Sequence, residues 1–271
     1  MSDYAGLHLD VDDGVATVTI DNGPINLFDI VLFPEMARLA RELAGDDSVR
    51  VVVLQSANPD FFIAHFDVSL ILMIPTGAPP EAEAVLNRFH EMCEAFRTMP
   101  KATIAVIEGR VGGGGSELAL SCDMRFAASG RAVFSQPEVA LGILPGGSGT
   151  VRLPRLIGRS RALEVILGCQ DVDADTAAAW GWVNRALPPD QVRPFAHALA
   201  RRIASFPPHA VAAAKAAVLR AEKEVMADLL AEGDAFNATL PVPSTRAALQ
   251  HFLDHGGQTV EGELRLAELL G

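Results

Sequence analysis

The chain has 271 residues, 49% hydrophobic and 21% charged, which excludes wholesale disorder and a coiled coil and leaves length for one large or two modest domains. Lys and Arg number 22 against 34 Asp and Glu, a formal charge of −12 with no Lys/Arg-rich run, so no general nucleic-acid surface is expected. The longest charge-free runs, Val68 to Pro80 and Val139 to Val151, contain Pro and Gly and fall short of the ~20 residues that a membrane span requires. The first residues carry acids where a signal peptide needs basic residues. Cys93, Cys122 and Cys169 are widely spaced with no CxxC pair, and a cytoplasmic protein is the expectation.

In chain order, Val15 to Ile20 is rich in β-branched residues and reads as a strand, broken by Asn22-Gly23-Pro24. Val31 to Ala44 places Leu32, Met36, Leu39, Ala40 and Leu43 at helical spacing. Val51 to Leu54 is a short, continuously apolar strand of the kind buried on both faces, and Gln55 to Asp60 is a loop. Ala84 to Arg97 repeats the helical pattern with Val85, Leu86, Phe89, Met92, Cys93 and Phe96, and Pro100 ends it. Ala102 to Ile107 is a second buried strand, and Gly109 to Gly115 turns into a helix expected from Ser116 to Cys122. Arg125 to Ala128 and Ala132 to Phe134 read as further short strands. Helices alternating with apolar strands predict an α/β fold with crossover units. From Ser160 onward Ala dominates, and Ala174 to Trp182, Val192 to Ile203 and Ala210 to Glu232 are helix formers punctuated by prolines. The predicted division is an α/β core over residues 1–200 and a helical region over 201–271.

The densest chemical signal is the run Gly112 to Gly115 with a helix directly after it. Successive glycines cost backbone entropy and offer no packing area, so they make sense where N–H groups must approach a ligand closely, or in an ordinary flexible turn. The first turn of the helix has unpaired N–H groups and a positive dipole end, where negative charge developing on an oxygen would be stabilised. No GxxxxGK[ST] spacing is present, Glu117 stands where GxGxxG needs its last glycine, and neither Ser116 nor Ser148 sits in GxSxG.

Two carboxylates bracket this region, Glu117 just after the glycines and Glu138 in Phe134-Ser-Gln-Pro-Glu138. Each alone is an ordinary capping or surface residue. If they converge over an apolar pocket, desolvation and repulsion hold one proton between them, the arrangement for moving a proton and activating a water. Sequence spacing does not bring them together. Leu144 to Thr150 reads as a tight structural loop. Arg152, Arg155, Arg159 and Arg161 form the one locally basic segment, suited to phosphate or, as the favoured reading, to acids across a subunit interface. His65 follows a strand end, where open sheets bind ligands, but without HExxH it reads as a packed or hydrogen-bonded histidine and no metal site is expected. The other histidines, His90 among them, receive no role.

Four pieces in order then carry a resemblance: Ile20 to Pro24 with Asn26; Phe61 to Val68; Gly109 to Asp123; and Phe134 to Thr150 continuing into Arg152-Leu-Pro-Arg155. Over residues 10–185 the sequence is similar to the enoyl-CoA hydratase/isomerase (crotonase) superfamily. The resemblance implies a spiral of repeated ββα units with a C-terminal helical trimerisation region, as a homotrimer or dimer of trimers. It implies an acyl-CoA thioester as substrate, coenzyme A entering only as part of it, and no other cofactor. The thioester oxygen would lie between the backbone N–H groups of Phe66 and Gly114, with Ala64, His65, Asp67, Gly113, Pro137 and Gly146 around the substrate. Glu117 and Glu138 would be catalytic: one water adds to C3 of a trans-2-enoyl-CoA, Glu117 orients and deprotonates it, and Glu138 protonates C2. A double-bond isomerase or another enolate-type acyl-CoA reaction is the alternative, and a non-catalytic acyl-CoA-binding protein the alternative of another class.

Departures from the family pattern are specific. Ala64-His-Phe-Asp67 stands for the usual Ala-Gly-Ala-Asp, Asn22 to Asn26 lacks the basic residue near the coenzyme A pyrophosphate, and Phe252 to Gln258 lacks the common basic ending. The Arg152–Arg161 segment is a substitute holder for coenzyme A on this reading, and Val68 to Glu83 is expected to be a mobile pocket wall.

Overall fold

The continuous apolar runs become the middle of a parallel sheet, and the short strands between them build a second, smaller one. The computed structural model describes residues 3–75 and 86–270. Ala84 and Val85 of the expected second helix, and the part of the expected pocket wall from Thr76 to Glu83, lie outside the described residues.

β1 (Leu7–Asp12) and β2 (Val15–Ile20) pair antiparallel with Leu7 opposite Ile20. Asp13 and Gly14 join them at φ 47° and 80°, the left-handed pair that a two-residue hairpin of the right twist requires. α1 (Leu32–Gly45) buries Leu32, Met36, Leu39, Ala40 and Leu43, the face its spacing predicts. Then follow β3 (Val51–Ser56), β4 (Phe61–Ile63), the short α2 (Val68–Leu72) and α3 (Arg88–Thr98). β5 (Ala102–Ile107), β6 (Arg110–Gly112) and α4 (Gly113–Ser121) repeat the order. β7 (Met124–Ala128) and β8 (Val133–Ser135) lead through a 3-10 turn at Glu138–Leu141 into α5 (Gly149–Ile157) and α6 (Arg159–Gly168). β9 (Val172–Asp173), α7 (Ala174–Trp180), β10 (Arg185–Leu187) and α8 (Pro189–Ala204) complete the sheets and their cover. The chain ends in α9 (Pro208–Leu219), α10 (Val225–Thr239), α11 (Pro243–Asp254), α12 (Val260–Leu264) and α13 (Leu266–Leu270).

The large sheet runs β1-β2-β3-β5-β7-β10 and the small one β4-β6-β8-β9. Successive strands β3/β4, β5/β6 and β7/β8 divide between the two sheets before each helix, which is a spiral of ββα turns. Pairing is parallel except at β1–β2 and β8–β9. The apolar runs are shared between two cores by the two-residue period of a strand. Val51, Val53, Ile104 and Val106 face Val192, Ala196 and Ala200 of α8, while Val52, Leu54, Ala105 and Ile107 face the main core with Met36, Leu118 and Trp182.

Three expectations shift. α4 begins at Gly113, so the glycines are its first turn and not a turn before it. Ala210 to Glu232 is not one helix: it is interrupted between Leu219 and Val225, with Glu224 at φ 58°. The boundary at residue 200 falls inside α8, which packs on the large sheet.

Candidate active site

The site is assembled from two strand ends, the N-terminus of α4 and the loop before α5. At its base Asn26 adopts φ 54° and donates through Nδ2 to Ser56 Oγ at 2.8 Å and to the carbonyls of Phe61 and Phe62 at 3.2 and 3.0 Å. This ties β3 to β4 and fixes the chain that leaves β4. Just beyond, Phe28 N–H donates to His65 O at 3.0 Å, and Asp67 N–H donates to Phe28 O at 3.1 Å. Those two bonds turn the Phe66 N–H to the side away from Phe28, where it has no acceptor among the described residues.

Across from it stands the first turn of α4, whose N–H groups have no intrahelical acceptor. The sequence can pass here only as glycine. Gly113 sits at φ 45°, and a methyl group on Gly115 would overlap the Ile63 carbonyl. A cavity of about 260 Å³ opens between the two segments, bordered by His65, Phe66, Gly113, Gly114, Glu117, Pro137, Glu138 and Gly146. Its wall carries Phe33, Phe89 and Phe236; Phe33 stacks on Phe89 with centroids 5.7 Å apart, and Phe66 meets both rings edge-on.

Glu117, on α4, and Glu138, opening the 3-10 turn, are 3% and 7% exposed. Glu117 Oε1 accepts the N–H groups of Gly147 and Gly149, each at 2.8 Å. Gly147 has no room for a side chain, since a methyl there would overlap Glu117 Oε2 and lie 2.5 Å from the Phe89 ring. Glu138 has Gln136 beside it. The Gln136 side-chain nitrogen lies 3.1 Å from both Glu138 oxygens and donates to the carboxyl. Neither Glu117 nor Glu138 has an ion-pair partner among the described residues.

Burial, the Glu138 charge and the Glu232 charge push the Glu117 carboxyl well above the usual range, against the Gly149 and Gly147 N–H donors that lower it. Burial raises Glu138 to about 8, opposed by hydrogen bonding and the His65 charge. Two acids thus border one cavity, each pushed towards its neutral form.

Two further buried carboxylates come from the C-terminal helices. Glu232 of α10 accepts the Ser148 N–H at 2.5 Å and the Thr150 N–H at 2.9 Å, accepts the Thr150 hydroxyl, and meets His90 Nε2 at 3.0 Å. It thereby fixes the loop whose amides hold Glu117, with Ser148 at φ 99°. Glu263 of α12 lies 2.9 Å from His65 Nε2, while His65 Nδ1 lies 2.8 Å from Phe66 O. Glu232, His90, Glu263 and Gln136 were not singled out by the sequence reading; only Gln136 stood inside a motif, next to Glu138.

Of the expected substrate contacts, His65, Gly113, Pro137 and Gly146 border the cavity and Ala64 and Asp67 do not. Ala64 packs with Ile25 and Phe61, and Asp67 caps α2 by accepting the Ser69 N–H at 2.8 Å. Within the basic segment, Arg152 and Arg155 find acids in their own chain, Glu94 and Asp228, and Arg161 lies over the Trp180 ring. Arg152 and Arg155 border a separate cleft of about 350 Å³, as do Arg97 and Lys215, which are likewise paired, with Glu94 and Asp123. No group of three or more His, Cys, Asp or Glu among the described residues is placed to hold a metal ion, and no described helix is long and apolar enough to cross a membrane.

The enoyl-CoA hydratase/isomerase family model matches residues 10–262. The chain belongs to that family. It is 33% identical over 248 residues to the short-chain-enoyl-CoA hydratase of Clostridium acetobutylicum, covering 91% of this chain and 94% of that one. It is 35% identical over 180 residues to the fatty acid oxidation complex subunit alpha of Shewanella baltica, a match spanning 65% of this chain and 25% of that larger protein. A solved Streptomyces avermitilis structure, described provisionally as an enoyl-CoA hydratase, superposes with a TM-score of 0.89 at 38% identity over 99% of this chain and 98% of its own. The ββα spiral is thus the crotonase fold, and the protein is an enoyl-CoA hydratase-like enzyme of the hydratase/isomerase family.

Proposed function

We propose that this family member hydrates a trans-2-enoyl-CoA thioester, with Glu117 and Glu138 as the catalytic pair and the N–H groups of Phe66 and Gly114 receiving the thioester oxygen. The observation that carries the reading is the shared cavity: two buried carboxyls, neither ion-paired among the described residues, facing a backbone turn and a helix N-terminus. Glu117, ionised and held by two amides, takes a proton from water as the oxygen adds to C3. Charge moves onto the thioester oxygen, where each amide donor contributes about 3 kcal/mol to the transition state. Glu138, neutral, delivers its proton to C2, and the pair then exchanges a proton to reset. Every acid, base and donor comes from the chain, so coenzyme A enters only as part of the substrate.

Isomerisation needs one carboxylate, whereas this cavity has two, which favours hydration. The test is the loss of conjugated absorbance from crotonyl-CoA and longer enoyl-CoA thioesters, with the product gaining the mass of one water. Glu117→Gln and Glu138→Gln should each lower turnover ~10²-fold or more. A product of unchanged mass, or an undiminished Glu138→Gln enzyme, refutes the assignment. The same reading includes assembly into a trimer or a dimer of trimers: α9 has no buried residue although it is mostly Ala and Val, and Val218 is 71% exposed.

A further inference from the structure

His65 lies just past β4, and its surroundings are built for a cation. It is 5% exposed, and both ring nitrogens face oxygens: Nδ1 the Phe66 carbonyl at 2.8 Å and Nε2 Glu263 Oε1 at 2.9 Å. A carbonyl only accepts, and the same Glu263 oxygen already accepts the Gln258 N–H at 2.8 Å, so a doubly protonated ring satisfies both partners. The pair belongs to a larger clamp. Gln258 Oε1 accepts the Val68 N–H at 2.5 Å and its Nε2 donates to Asp67 Oδ1 at 3.0 Å, fastening the turn before α12 to the segment that carries Phe66. On the other side of His65, a methyl placed on Gly113 would lie 3.0 Å from Glu138 Oε1 and 3.1 Å from His65 Cβ, so the imidazole and the Glu138 carboxyl flank the same glycine.

We propose that His65 and Glu263 form a buried ion pair acting as positioning residues, whose cation sets the charge environment of Glu138 and whose bonds fix the turn that aims the Phe66 amide. The inference rests on the hydratase reading of Glu138. The titratable or charged groups facing the pair are Glu263 on α12, Glu138 on the 3-10 turn, and Arg110 on β6 beside Glu263, itself paired with Asp171; from α11 the ring meets Phe252 edge-on. Glu117 on α4, Glu232 on α10 and the Cys169 thiol at the end of α6 act on Glu138 from other sides. Burial pulls the His65 pKa down, but the Glu263 charge and hydrogen bond outweigh it and hold the ring above its ordinary value. The His65 charge in turn favours the ionised form of Glu138.

The first test is nitrogen-15 NMR of histidine-labelled enzyme at pH 7, with the His65 signal assigned by its loss in His65→Gln. An imidazolium signal is expected, and a neutral tautomer overturns the proposal. The second is the pH profile of kcat/KM. His65→Gln removes the cation outright, and Glu263→Gln removes the charge that keeps it protonated. Both should move the basic limb, where Glu138 loses its proton, upward by ~0.5–1, the scale for removing one nearby charge that the protein screens. The double variant should show no more than either single one. A role in packing alone lowers turnover and leaves the limb in place, and that result overturns the proposal. If His65→Gln does not fold, Glu263→Gln decides the limb. Wild-type enzyme that hydrates no enoyl-CoA overturns the hydratase reading and the effect on Glu138 with it, while the NMR signal still decides the ion pair itself.

Discussion

Glu138→Gln should stabilise the protein at alkaline pH while abolishing most of its activity. The carboxyl is buried, and its pKa stands at about 8 folded against an ordinary 4.5. The native state therefore binds more protons than the unfolded chain between those values. The stability this group contributes is full below about 4.5 and lost as pH rises through about 8. At ~1.4 kcal/mol per pH, raising the pH from 5.5 to 8 costs the wild type about 3 kcal/mol through this one group, a cost that glutamine does not share. Urea unfolding of both proteins at pH 5.5 and 8.5 reads the effect directly, as a gap that widens with pH in favour of the variant. Glutamine is nearly isosteric, so the comparison leaves the cavity's shape intact. Equal gaps at the two pH values would show that Glu138 is not held neutral by the fold, and the assignment of proton donor would fall with it.

Gly147→Ala should cost about 2 kcal/mol of stability, the scale of overpacking, and turnover should fall at least ~10-fold, because the new methyl displaces both the Glu117 carboxylate and the Phe89 ring; thermal melts and the absorbance assay read both, and unchanged turnover would free Glu117 from its role. Phe66→Ala keeps the backbone N–H but removes a ring packed against Phe33 and Phe89. Its relative kcat/KM for longer over short enoyl-CoA chains should rise ~10-fold, the scale of one or two methylenes in a pocket, and an unchanged ratio would remove Phe66 from the specificity wall.

What the sequence made legible followed from local patterns. β3 and β5 are apolar runs long enough to read, and α1 shows its buried face at helical spacing. β1 was missed although Leu7, Leu9 and Val11 alternate with polar residues and Asp13-Gly14 marks the hairpin; the acids at Asp10 and Asp12 face away from the core and disguised a half-exposed edge strand. β4 and β6 are three residues each, too short for any period to show. The start of α4 was misplaced because glycine is a poor helix former, and here close approach to Ile63 and Phe89 outweighs propensity. Glu117 and Glu138 could be named from their motifs, but their meeting is a product of the spiral, which sets α4 beside the 3-10 turn. Glu232 and Glu263 were beyond reach, because nothing near either residue announces a partner so distant along the chain.

The donors around the carboxylates near the cavity are graded, and the grading argues for their division of labour. Glu232 accepts two backbone N–H groups and a hydroxyl and adjoins His90, so its environment is complete without substrate. Glu117 accepts two backbone N–H groups, enough to fix an ionised oxygen, while its neighbours keep it ready to take a proton. Glu138 meets the Gln136 amide, whose nitrogen lies 3.1 Å from both carboxyl oxygens, and its own backbone N–H, and takes no donor from the loop before α5 among the described residues. Backbone donors fixed in place by the fold favour the anion. On the hydratase reading proposed above, the two loop amides suit Glu117 to take a proton from water and leave Glu138 as the donor to C2. The opposite assignment would leave the Gly147 and Gly149 amides pointing at a neutral acid.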